Sequence, residues 1–134
     1  MSYLLDTNVL SEARRRSPQA VAWVRAVDPV SLFVSVITIG EIAKGIAQRA
    51  RTDPVAAATL ENWLATLRTS YAERILPIDQ AVAVAGGRLM SERTRPVVDA
   101  LIAATARVRN LTLVTRNVAD FADCGVDVVD PWAA

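Results

Sequence analysis

A chain of 134 residues with 52% hydrophobic content and a net charge of +1 can build one well-buried core and is too short for two ordinary domains. It contains no histidine, which excludes Ser-His-Asp and Cys-His catalysis, imidazole acid-base chemistry and histidine zinc sites. Cys124 is the only cysteine, so an internal disulfide and a multi-thiolate metal site are excluded as well. Any hydrolytic chemistry then falls to carboxylates and a hard cation. Every basic residue except Lys44 is arginine; the planar fork suits phosphate, although a bias to Arg and Ala also arises from codon composition. The apolar stretches are short and broken, with no basic region leading into a long apolar run, so a cytoplasmic protein with no membrane role is expected.

The first stretch, Tyr3-Leu4-Leu5 running into Asp6-Thr7-Asn8, reads as a buried strand ending in a carboxylate, followed by residues that favour turns and helix starts. Asp6 is either the cap of a short helix from Asn8 to Glu12 or a site residue, because ligands of open α/β sheets bind beyond the carboxyl ends of the strands. Ala20, Val21, Val24 and Val27 predict a short covering helix from Pro18 that Asp28-Pro29 ends. Ser31 to Ser35 predicts a strand covered on both faces. From Val36 to about Arg51 the period becomes helical, with Ile39, Ile42, Ala43, Ile46 and Ala50 as the apolar stripe and Glu41 on roughly the opposite side. Glu41 is either a solvated helix residue paired with Lys44 or a site residue just past a strand end.

Pro54 opens a helix reaching Tyr71 or Ala72, whose Leu60, Trp63, Leu64 and Leu67 predict core or dimer contacts; Trp63, Leu64 and Leu67 exceed what so small a domain needs for its own core, which predicts a homodimer. A short strand, Ile75 to Ile78, leads to Asp79, the expected N-cap of a helix from Gln80 to about Glu92. Gly86-Gly87 lacks the spacing of a dinucleotide loop and predicts close helix packing, with no cofactor bound there. Pro96 to Ala106 is a helix apolar nearly all round, hence buried, and Asp99 shares a face with Ile102, Ala103 and Ala106. A carboxylate so placed must cap, be paired or meet a cation. Leu111 to Thr115 is a strand from which Arg116 to Phe121 departs, and Val126 to Val129 is a last, edge strand. Alternation of strands and helices predicts an α/β fold, a mostly parallel sheet with helices on both faces.

Four acids follow strand ends or open the buried helix: Asp6, Glu41, Asp99 and Asp120. Converging on one crevice they would repel, so some would stay protonated or a divalent cation would bind, Mg²⁺ or Mn²⁺ for oxygen ligands. Such a cluster suits metal-assisted phosphodiester hydrolysis. The stretches Leu5-Asp6-Thr7-Asn8-Val9-Leu10, Ile39-Gly40-Glu41-Ile42 with Gly45, Asp99-Ala100-Leu101-Ile102-Ala103 and Thr115-Arg116-Asn117 with Asp120-Phe121 resemble the PIN-domain ribonucleases. More narrowly, they resemble toxin subunits of bacterial type II toxin-antitoxin pairs in the branch related to plasmid-stability proteins.

The resemblance spans essentially residues 1–134 as a single domain. It implies a three-layer αβα fold with a four- or five-stranded mostly parallel sheet, homodimers, Mg²⁺ or Mn²⁺ dependence and endoribonuclease activity on RNA. It also implies inhibition by a cognate antitoxin, with DNA contacted only through that antitoxin. Position by position it makes Asp6, Glu41, Asp99 and Asp120 catalytic, with Asp6, Asp99 and Asp120 on the metal. Many members carry an acid directly after the Thr-Arg pair, where Asn117 stands here; the role then passes to Asp120, with Thr115 and Asn117 in support. The competing readings are a non-catalytic nucleotide-binding or interaction domain with the acids as caps, and a co-repressor binding antitoxin and operator DNA. A glycine-rich phosphate loop and a Walker-type lysine motif, which would favour the former, are not found in the sequence.

Overall fold

Successive side chains of a strand point to opposite faces, and in this protein both faces are covered. The computed structural model describes residues 1–133. Its strands are β1 (Tyr3–Leu5), β2 (Leu32–Ser35), β3 (Ile75–Leu76), β4 (Thr112–Val114) and β5 (Val128–Val129). The helices are α1 (Thr7–Arg14), α2 (Pro18–Ala26), α3 (Val36–Ala50), α4 (Pro54–Ser70), α5 (Gln80–Glu92), α6 (Val97–Arg109) and α7 (Val118–Phe121). The five strands form one sheet in the order β3-β2-β1-β4-β5, and every pairing is parallel.

Leu5, Leu32, Val34 and Val114 face one core, which Val9, Leu10, Ile42, Ile46, Leu64 and Leu67 of α1, α3 and α4 complete. Leu4 and Leu113 face the other, formed with Val82, Leu89, Ile102, Ala103 and Phe121 of α5, α6 and α7. The chain order explains the split. It steps outward from β1 to β2 and β3, then crosses back over β1 to β4 and β5. Right-handed crossovers put the first group of helices on one face, and the reversal puts the second group on the other. The reversal also opens a crevice beyond the carboxyl ends of β1 and β4, where ligands bind in sheets of this type.

Most predicted elements form with their ends moved. The first helix runs Thr7–Arg14, longer than expected, and ends where Arg16 takes a left-handed φ of 64°. Asp79 caps α5 by accepting from the Val82 N–H at 3.0 Å. Gly86 is where α5 and α6 approach: a Cβ there would meet Leu101 Cδ2 at 3.0 Å. Gly87 faces open space, so close packing needs only the first of the pair.

Three expectations need correction. Of the expected α3 stripe, Ile42 and Ile46 are buried and Ile39 packs against the core, whereas Ala43 and Ala50 are exposed and Thr38 is buried instead, because the helix is docked by α4 and by the Thr7 end of α1. Glu41 consequently lies at the flank of that seam rather than opposite it. Leu64 and Leu67 are buried in the core of their own chain, with Trp63 packed against it, so they are not surplus apolar surface. Asp99 is half-buried rather than enclosed, since it lies in the first turn of α6, where the helix emerges at the edge of the sheet.

Candidate active site

Asp6 leaves β1 at the crevice, where it caps α1 and also meets the end of β4. Its Oδ1 accepts the Thr7 N–H at 2.8 Å, capping α1, while its Oδ2 accepts the Thr115 hydroxyl at 2.8 Å from the end of β4. The residue is only 8% exposed, so these bonds replace water that it has lost. Asn8 braces the same corner: its Nδ2 donates to Thr115 Oγ1 at 3.3 Å, and its Oδ1 accepts the Arg116 N–H at 3.2 Å. The Asn117 N–H donates to Thr115 Oγ1 at 3.1 Å. Thr115 thus ties the ends of the two central strands together through its side chain.

Glu41, from the second turn of α3, is brought in by Thr7, whose hydroxyl donates to Glu41 Oε1 at 2.6 Å. Thr7 and the buried Thr38, 3.2 Å from it, are positions beside the acids that sequence reasoning missed. The signal available for Thr7 was its place between Asp6 and Asn8, read there only as turn chemistry. Asp99 does not cap α6, whose N-cap is Pro96, so the capping alternative falls away. Asp120 sits exposed in the first turn of α7. Asn117 precedes that helix with its side chain making no cap.

The acids sense one another. Burial pushes the Asp6 carboxyl above its ordinary value, the Thr115 and Thr7 hydrogen bonds oppose that, and the charges of Glu41 and Asp99 push it further up. Asp99 is raised by burial and then by the negative charges of Asp120 and Glu41. Among the described residues none of the four acids forms an ion pair, although Glu12, Asp53, Asp79, Glu92 and Asp123 all do. In a chain so rich in arginine, an acid cluster left without cations is selective. Clefts lined by one sign of charge concentrate counter-ions.

Whether a cation fits can be judged from these donors. All are oxygens, as Mg²⁺ and Mn²⁺ require. Among the described residues no three acidic or cysteine side chains stand close enough to hold an ion between them. The arrangement therefore suits a cation held by one or two carboxylates with water completing the shell, the usual habit of Mg²⁺.

A fully parallel five-stranded sheet with uncompensated carboxylates at its switch point defines an α/β protein of the acidic-crevice type. The PIN domain model matches residues 3–125, and the chain belongs to the PIN domain family. Among its relatives it is 34% identical to the plasmid stability protein StbB of Pseudomonas syringae pv. tomato, over 98% of this chain and 99% of that protein. It is likewise 34% identical to toxin FitB of Neisseria gonorrhoeae, over 96% and 97%. To the VapC ribonuclease Y4jK of Sinorhizobium fredii it is 31% identical, over 96% of both. The crystal structure of FitAcB from Neisseria gonorrhoeae superposes with a TM-score of 0.90 at 31% identity, covering 98% of this chain and 99% of that one. A toxin-antitoxin complex from Klebsiella pneumoniae gives 0.78 at 28% identity, covering 99% and 100%. Among the described residues no helix is long and apolar enough to cross a membrane.

Proposed function

We propose that the chain is a divalent-metal-dependent endoribonuclease and the toxin of a toxin-antitoxin pair, working as a single cytoplasmic domain. The observation that carries this reading is the set of four carboxylates at one edge of the sheet, left without a basic partner while other acids of the chain pair with arginines. Relatives named as a toxin and as a VapC ribonuclease, aligned over nearly the full chain, support it.

Asp6 and Asp99, with Asp120 in support, are the residues that would hold Mg²⁺ or Mn²⁺. When bound, such an ion neutralises charge on a phosphodiester and makes water a better nucleophile at neutral pH. The chain's own part is to place oxygens. Thr115 and the Thr7 N–H hold Asp6 from two sides, so its geometry is set before anything binds. The Thr7 hydroxyl aims Glu41 while leaving its second oxygen free to orient a water or take its proton. With no histidine available, a route through the RNA 2′-hydroxyl lacks the imidazole that most often serves as its base and acid, and a carboxylate cluster suits activation of water on a cation instead. Water is therefore the nucleophile, and the products carry a 5′-phosphate and a 3′-hydroxyl.

A cognate antitoxin fits the same electrostatics, because an arginine inserted among the carboxylates would replace the metal's charge. The toxin-antitoxin complex among the structural neighbours supports such a partner. We also propose a homodimer, with family membership as its support now that Leu64 and Leu67 are spent in the chain's own core. The deciding experiment incubates purified protein with RNA in Mg²⁺, in Mn²⁺ and in excess chelator, beside Asp6→Asn and Asp99→Asn, and analyses the new ends. Cleavage that needs metal and both acids and leaves 5′-phosphates is expected. Equal cleavage in chelator, or 2′,3′-cyclic phosphate ends, would refute the mechanism.

A further inference from the structure

An acidic crevice repels the polyanion it is meant to cleave, so a nuclease of this kind needs a cation fixed at the rim, outside the carboxylates but within reach of the next phosphate. Arg116 has that position. It follows Thr115 directly, and its backbone N–H is bonded to Asn8 Oδ1 at 3.2 Å, which pins the residue at the mouth of the site. Its side chain pairs with none of the four acids: the guanidinium lies over the Trp132 ring, 4.8 Å from the centroid.

Trp132 is itself immobilised. Its Nε1–H donates to Ser17 Oγ at 3.2 Å, its backbone N–H donates to Asp130 Oδ1 at 2.9 Å, and the side chain packs against the core that α1, α3 and α4 complete. Among the described residues the guanidinium has no ion-pair partner. A flexible arginine ordinarily loses side-chain freedom when it binds; stacked on a held indole, it has lost much of that freedom already. Its fork matches phosphate oxygens bidentately. The other arginine stacked on a tryptophan, Arg14 over Trp63 at 5.8 Å, lies at the far end of α1 from Asp6, ~12 Å along the helix axis.

We propose that Arg116, splinted by Trp132, receives a backbone phosphate of the RNA strand next to the bond that is cut. This rests on the ribonuclease reading above. The strand then runs across the crevice from the Asp99 and Asp120 side to the Trp132 side, with Asp6 between. Arg116 positions substrate without touching the acids, which is why the acids hold no internal cation although an arginine stands beside them.

The test uses a cleavage-dead Asp99→Asn background and a fluorescent single-stranded RNA, with binding followed by anisotropy across a salt series. Arg116→Gln should weaken binding ~10-fold at low salt and make the log K against log salt slope shallower by about 0.7, the share of one phosphate on a single strand. Arg116→Lys should keep the slope and lose part of the affinity. Trp132→Leu should also weaken binding with the slope unchanged, because the charge remains while its splint is gone. In the otherwise wild-type protein the loss from Arg116→Gln should fall on KM rather than kcat. Unchanged affinity and slope for Arg116→Gln, in a protein whose wild type binds and cleaves RNA, overturns this proposal and leaves the nuclease reading standing. Absence of RNA binding and cleavage in the wild type overturns both.

Discussion

Thr115→Val removes one hydroxyl and changes the side chain's shape little, yet it should be felt in both stability and pH dependence. The hydroxyl donates at 2.8 Å to Asp6, which is 8% exposed. A hydrogen bond to a charged, buried group contributes about 1.5–3 kcal/mol, against about 0.5–1.5 kcal/mol for a neutral pair. The bond favours the ionised carboxylate, opposing the burial that raises Asp6, so deleting it raises Asp6 further. At pH 8 the ionised acid loses its best donor, and unfolding in urea should shift down by roughly 1 M for a chain of this size. At pH 3, below the ordinary 3.8 from which the folded-state carboxyl is raised, it is protonated and the loss should shrink by about half. Thr115→Ser should behave as wild type. Equal losses at pH 3 and pH 8, or none at either, would refute the assignment of this bond as the support of an ionised Asp6.

Further outcomes follow from the same geometry. Asp99 is raised in the folded state by burial and by the charges of Asp120 and Glu41. Its ionisation therefore costs stability, which falls as pH climbs from the unfolded value near 3.8 through the raised folded value. Asp99→Asn in chelator should then melt higher than wild type at pH 8 and match it below about pH 4, whereas added Mn²⁺ should raise the wild-type melting temperature more than the variant's. A variant that melts lower at pH 8 would contradict the repulsion. Gly87→Ala, open on its face of α5, should stabilise by about 0.4–1 kcal/mol. Gly86→Val, against Leu101 at the α5–α6 contact, should cost about 1–3 kcal/mol; chemical denaturation of both separates the two glycines. Arg95 has a buried side chain whose Nε and Nη2 make no hydrogen bond, Nη2 standing 4.0 Å from Glu92 Oε2, while Nη1 reaches Cys124 Sγ at 2.8 Å and Asp123 Oδ1 at 3.3 Å. Arg95→Met should therefore change stability by less than about 1 kcal/mol, because the lost contacts are offset by removing two buried nitrogens that make no hydrogen bond. A loss above about 3 kcal/mol would show that the clamp on Asp123 and Cys124 is essential.

Local signals carried much of this protein. Hydrophobic runs ending in Asp6 and Thr115, helical spacing through Val36–Ala50 and an all-round apolar α6 were enough to predict a parallel α/β sheet, because periodicity and end signals act within a few residues. The same signals found Asp79 as a cap and singled out the four acids by their places after strands or at a helix start. Tertiary structure decided what depends on neighbours distant in sequence. Docking of α4 and of the Thr7 end of α1 set which face of α3 is buried, so Thr38 rather than Ala43 lies inside and Glu41 meets Thr7. Burial of Leu64 and Leu67 could not be told from a dimer surface, since an apolar helix stripe looks the same against either. Thr7, Asn8 and the Arg116–Trp132 stack became visible only once the reversal of chain order set β1 beside β4 and brought residues 6, 115 and 132 to one edge. A hydroxyl or guanidinium has its meaning fixed by the atom it meets, and that atom is chosen by the fold.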